Sequence, residues 1–108
     1  MNLNSSTSLK AVLGGAVATT ELTIRVSYQD LNLDGQLTKP ASLDTSTNGA
    51  SDVTILSAPP AAVVRTVLSV DAFNSDTAAA TLTIKTDDGT QRPVAKFTLG
   101  SGDSLCYR

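Results

Sequence analysis

The run Ala78-Ala79-Ala80-Thr81-Leu82-Thr83-Ile84-Lys85-Thr86-Asp87-Asp88-Gly89-Thr90-Gln91-Arg92-Pro93-Val94-Ala95-Lys96-Phe97-Thr98-Leu99 reads as a strand, a turn and a returning strand. Asp88-Gly89 suits a two-residue type I′ hairpin turn, because glycine and aspartate tolerate the positive φ angles that such turns need. With those two residues as the loop, Ile84 faces Pro93, Leu82 faces Ala95, Ala80 faces Phe97 and Ala78 faces Leu99. All eight are apolar and share one face. A slip of one residue sets Ile84 opposite Arg92 and Ala80 opposite Lys96, which destroys that face, so the first register is the expected one. It makes Ile84 and Pro93 a non-hydrogen-bonded pair, where the missing proline N–H costs nothing toward its partner. It also sets Lys85 against Arg92, a conflict that Asp87 and Asp88 would offset.

Outward from the hairpin the same period of two recurs. Leu22, Ile24, Val26 and Tyr28 alternate with Thr23, Arg25 and Ser27, the pattern of a half-buried strand. Asp30 to Ala50 reads as loop, punctuated by Gly35, Pro40 and Asn48-Gly49. Asp52 to Leu56 reads as a short strand that Pro59-Pro60 stops. Val63 to Phe73 is apolar on both alternating sets, with Val64, Leu68, Val70 and Ala72 on one and Val63, Val67 and Phe73 on the other, so it predicts a strand covered on two faces. Gly100 and Gly102 lead into a last strand, Ser104 to Tyr107. Residues 1–10 are rich in Asn, Ser and Thr, with only Leu3 and Leu9 to bury, and read as an arm that orders against a neighbour. Five or more antiparallel strands, closely spaced turns and no helical period predict an all-β fold. The expected architecture is a single antiparallel β-sandwich over residues 11–108, immunoglobulin-like or jelly-roll-like, preceded by an extended N-terminal arm.

Composition agrees with one small β domain. The chain has 108 residues, enough for a single core. Leu, Ile, Val and Phe make up a quarter of it, above the level at which disorder becomes the default. With no Trp, two Phe and two Tyr, that core must be built from small aliphatic groups, and neighbours are expected to supply missing burial. The residues expected to face them are Leu3, Leu9, Val63, Val67 and Tyr107. Eight basic residues against ten acidic ones, a net charge of −2, give no Lys/Arg stripe for phosphates, so nucleic acid is not an expected partner. The longest run of apolar or glycine residues, Ala11 to Ala18, is far short of the roughly 20 that span a bilayer, and the polar, uncharged stretch Asn2 to Ser8 is not a basic signal-peptide start. Synthesis in the cytoplasm is expected.

No catalytic constellation is present. Without His there is no ordinary Ser-His-Asp arrangement, and the single cysteine, Cys106, lacks a His base and reads as a small buried or half-buried side chain. Asp30-Leu31-Asn32-Leu33-Asp34-Gly35 matches the opening of a calcium-binding loop, whose alternate oxygens converge on a hard cation. Its twelfth position, however, is Ala41 where a bidentate Glu belongs, and Pro40 blocks the following helix. A plain Asx turn is the expected reading; a calcium site completed by Asp44 is the alternative. No metal or cofactor is expected. A carbohydrate platform would rest on only two tyrosines.

The second half resembles a group of small tailed-bacteriophage virion proteins. The similarity runs through Val53-Thr54-Ile55-Leu56-Ser57-Ala58-Pro59, Arg65-Thr66-Val67-Leu68-Ser69-Val70, Phe73-Asn74-Ser75-Asp76-Thr77-Ala78-Ala79, Thr81-Leu82-Thr83-Ile84 and Phe97 to Tyr107. It covers about half of the chain and lies in strand-and-turn patterns, with no catalytic signature. The resemblance implies a non-enzymatic virion component: a capsid decoration or cement protein that binds the major capsid protein or other virion proteins and associates with itself. A neck, tail or fibre-associated component is the first alternative, and a small-ligand or calcium-dependent binding module the second.

Overall fold

The computed structural model describes residues 1–108 and contains nine strands and no helix: β1 (Asn2–Leu3), β2 (Ser8–Leu13), β3 (Thr23–Asn32), β4 (Ala41–Ser46), β5 (Val53–Leu56), β6 (Val63–Phe73), β7 (Ala80–Asp87), β8 (Gln91–Leu99) and β9 (Ser104–Tyr107). They form two antiparallel sheets packed face to face. One runs β1-β6-β3-β4, with β9 sharing the β6 edge with β1; the other runs β5-β2-β7-β8. The expected β-sandwich is the observed fold. Its core is aliphatic and centred on Leu9, Leu22, Ile24, Val26, Ile55 and Leu82, all fully buried.

The first ten residues are part of the sandwich, where an arm was expected. Leu3 sits in β1 opposite Arg65 and Leu9 in β2 between β5 and β7, and both side chains lie inside the core. The polar composition misled because Ser8 and Lys10 occupy the outward positions of β2, which is an inner strand of its sheet.

The deciding hairpin keeps its apolar face in a different register. Asp87 pairs with Gln91, so the loop has three residues, and Gly89 takes the positive φ of 104°. That shifts the pairing by one. An extra residue in β8 then shifts it by one more, between the Lys85–Pro93 and Ile84–Ala95 pairs. Two one-residue shifts restore the parity, so Ile84 meets Ala95, Leu82 meets Phe97 and Ala80 meets Leu99. Pro93 stands exposed beside the bulge and Ala78 precedes the strand. The conflict between Lys85 and Arg92 does not arise. Arg92 lies opposite Thr86 and pairs with Asp88 at 2.9 Å, while Lys85 reaches Asp52 at 2.7 Å.

A second bulge resolves the two-faced pattern of β6. Ser69 pairs with Ser27 and Val67 with Tyr28, leaving Leu68 unpaired. Parity switches there, so Val63, Val67, Val70 and Ala72 turn toward the core and Val64, Leu68 and Phe73 toward solvent. The strand is therefore covered on one face only. The segment read as loop, 30–50, holds another correction: β3 continues to Asn32 and β4 pairs with it over six consecutive residues, Ala41 to Ser46. Leu43 is the only large apolar residue of β4, too little to mark the strand by period.

Candidate functional site

The two ends of the sandwich are built from opposite materials. At the end where β6 leaves its sheet, Asn74 is fully buried, and its Nδ2 donates to the carbonyls of Ala78, Leu99 and Gly100 at 3.0, 3.0 and 3.2 Å. Its Oδ1 accepts the Asp76 N–H. Asp76, also buried, accepts the amides of Ala18 at 2.9 Å, Thr19 at 2.8 Å and Thr20 at 3.2 Å, with the Thr19 hydroxyl at 2.9 Å. The Ala18 amide, followed by the amide and hydroxyl of Thr19, holds the carboxyl far below the usual carboxylate range, against the opposing pull of burial. Beside it, buried Thr47 accepts the Leu22 N–H and donates to Glu21, which also accepts the Gly49 N–H. These groups staple four loops together, those of residues 14–22, 47–52, 74–79 and 100–103. Asn74 and Asp76 spend their side-chain oxygens and nitrogen on backbone and side-chain groups of the chain itself.

One step in from the opposite end, Arg65 points between the sheets. Its Nε and Nη2 reach Asp30 at 2.8 and 3.1 Å, its Nη1 donates to the Ser57 carbonyl at 2.9 Å, and its guanidinium lies 4.7 Å from the centre of the Tyr28 ring. The Asp30 carboxylate thus holds a guanidinium where a calcium loop would direct it at a cation. Hydrogen bonding to Asp30 raises the Arg65 pKa against the effect of burial. Asp44, the residue that would complete a calcium site, makes a two-pronged pair with Arg25 at 2.7 and 3.0 Å. Asp34 accepts the Gln36 N–H, an Asx turn with Gly35 at φ 86°. No three Cys, Asp or Glu side chains converge in a way that could hold a metal ion.

Beyond that ion pair, the β3–β4 tip is apolar and open. Leu31 pairs with Val64 on the outward face of the sheet and makes a bridge to Leu37, so the three side chains stand together. Leu33, in the adjoining turn, is 83% exposed and Leu37 is 65% exposed. A shallow depression of about 420 Å³ runs between Leu31, Leu33 and Val64 and the turn at Ala62. Ala62 carries φ 65°, the only positive φ outside glycine. Leu31, Leu33, Leu37 and Val64 are large apolar side chains that the core does not use.

Of the residues expected to face partners, Val63 lines this depression and the other four lie elsewhere. Leu3, Leu9 and Val67 are buried, and Val63 and Tyr107 are half-buried, Tyr107 packing against the core with its ring 5.9 Å from that of Phe97. Leu3, Leu9, Val67 and Tyr107 serve the chain's own packing. Cys106, expected to be buried or half-buried, is exposed on the outward face of β9 opposite Asp71. The contact cluster itself went unread, although three leucines inside a turn-rich polar stretch, at 31, 33 and 37, were its visible signal.

Comparison with protein families, with curated proteins and with solved structures found no match to this chain.

Proposed function

We propose that this chain is a structural protein that works by binding other proteins through its β3–β4 tip, as a capsid decoration or cement component of the kind its second half resembles. The observation that carries the protein-binding part is the cluster of Leu31, Leu33, Leu37 and Val64 exposed on a domain whose buried polar side chains all have hydrogen-bond partners. Burying a leucine from full exposure is worth about 1.5–3 kcal/mol. Three leucines and a valine, with Leu31 and Val64 only 39% and 40% exposed, stand to gain less than this each and give a useful contact only if ordering costs are small; here the tip is already fixed by the hairpin bonds Asn32 N–H to Gln36 O and Thr38 N–H to Asp30 O, each 2.9 Å. Many copies on a lattice would then hold firmly through individually modest contacts. The acidic end groups are consumed by backbone donors and guanidinium groups, which favours contact over chemistry.

Fractionation of the source virions tests the assignment. Mass spectrometry of purified whole particles and of heads lacking tails should find the chain in both. Its presence only in tailed particles would move it to the neck, tail or fibre, and its absence from every particle would overturn the proposal.

A further inference from the structure

We infer that β4 pairs with β4 of a second copy, antiparallel about a two-fold axis at Leu43, so that the β1-β6-β3-β4 sheet continues across a dimer. An exposed strand edge is a row of unpaired donors and acceptors, and proteins blunt such edges unless they use them. Three of the four edges here are blunted. The edge formed by β8 carries Pro93, a bulge, Arg92 and Lys96; β5 has four residues and a shifted register against β2. The β6 edge is covered by β1 and β9, which are two and four residues long. Only β4 presents six residues in unshifted register, with no Pro, Gly, Lys or Arg among them.

Its sequence is complementary to itself. Ala41, Leu43 and Thr45 pair with Tyr28, Val26 and Ile24 and so share the core-facing side, yet Leu43 is left 44% exposed. Ser42, Asp44 and Ser46 share the outward side. A two-fold axis perpendicular to the sheet keeps faces matched and allows only pairings centred on a residue. Centred on Leu43, each Leu43 meets its twin, each Ala41 meets Thr45, and each Ser42 hydroxyl can donate to the opposite Asp44. Centred on Asp44, two carboxylates would stand opposed, which is destabilising. Asp44 is meanwhile neutralised on its own chain by Arg25, which lowers the carboxyl pKa through direct hydrogen bonding. The tip leucines lie beyond the strand and stay free, so this contact is independent of the one proposed above.

The test uses the full chain with Cys106→Ser as background. Opposed residues across an antiparallel pair have Cβ atoms about 4.5–5.5 Å apart, within reach of a disulfide after slight adjustment. Under mild oxidation Leu43→Cys should link two copies at least tenfold faster than Ala41→Cys or Thr45→Cys alone, while Ala41→Cys combined with Thr45→Cys should link readily. Sedimentation velocity should show the unmodified chain as a dimer that Leu43→Lys weakens at least tenfold, with its melting transition kept. A monomer at every concentration up to about 1 mM, or linking that does not favour Leu43→Cys and the double variant, would overturn the inference.

Discussion

The closed end of the sandwich and its open end invert the usual reading of polar and apolar residues. At the closed end, Asn74 and Asp76 are polar, buried and hydrogen-bonded to the chain's own backbone. At the open end, Leu33 and Leu37 are apolar, exposed and unneeded by the core. Polar side chains therefore build architecture at one end of this protein, and hydrocarbon is left open to solvent at the other. The reason is energetic: a buried amide or carboxylate that loses its partners is costly, whereas an exposed leucine contributes little until something covers it.

Breaking the closed end should give the largest effects. Asn74→Ala leaves three carbonyls and the Asp76 amide without their partner, and chemical denaturation should show a loss of about 2–4 kcal/mol. Leu9→Ala, in the segment whose composition resembles an arm, should cost a similar 2–5 kcal/mol, because Leu9 is wholly enclosed. A loss below about 0.5 kcal/mol in either would mean that these groups are not the staples described. The pH dependence sharpens the same side of the comparison. Asp76 has a folded pKa below its unfolded value, so its contribution is present above the unfolded pKa of about 4 and is lost as pH falls through the folded one. Thermal melts from pH 7 down to pH 2 should fall on the acid side, and Asp76→Asn should flatten that limb. An unchanged acid limb would contradict the role given to its amide cradle.

The open end should respond in the opposite sense. Leu33→Asp with Leu37→Asp should change stability by less than about 0.5 kcal/mol, the range of ordinary surface substitutions. A large loss would show that the tip leucines belong to the core after all. A comparably modest effect is expected at Ala62, where glycine would relieve the left-handed backbone by about 1 kcal/mol but lose part of that gain to its own unfolded-state freedom. Calorimetry should find Ala62→Gly within about 1 kcal/mol of the parent.

Much of this fold is written in period two. The alternation from Leu22 to Tyr28 and the final strand Ser104 to Tyr107 stand where the residues place them, and the hairpin reverses around Gly89 with one loop residue more than expected. What the alternation cannot carry is a bulge. In the β7–β8 hairpin two successive one-residue shifts cancel in parity, so an argument from faces keeps six of its eight apolar residues, loses Ala78 and Pro93, and misplaces each pair by two. In β6 one bulge at Leu68 turns a one-faced strand into an apparently two-faced one. The polar staples were illegible for a different reason. Asn74-Ser75-Asp76 looks like any turn, and its burial depends on amides at Ala18 to Thr20 and carbonyls at Leu99 and Gly100, whose approach only the folded chain reveals. Strand β4 and the leucine tip share a segment whose turn signals outweighed its leucines.

The central claim is that the β3–β4 tip is the surface by which this protein holds its neighbours. Quantitative co-sedimentation tests it: tail-less heads stripped of the chain are mixed with the unmodified protein or with the Leu33→Asp, Leu37→Asp variant, both first shown to melt alike. The unmodified chain should pellet in a saturable, fixed ratio to the capsid subunit while the variant stays in the supernatant. Equal pelleting of the two would contradict the claim.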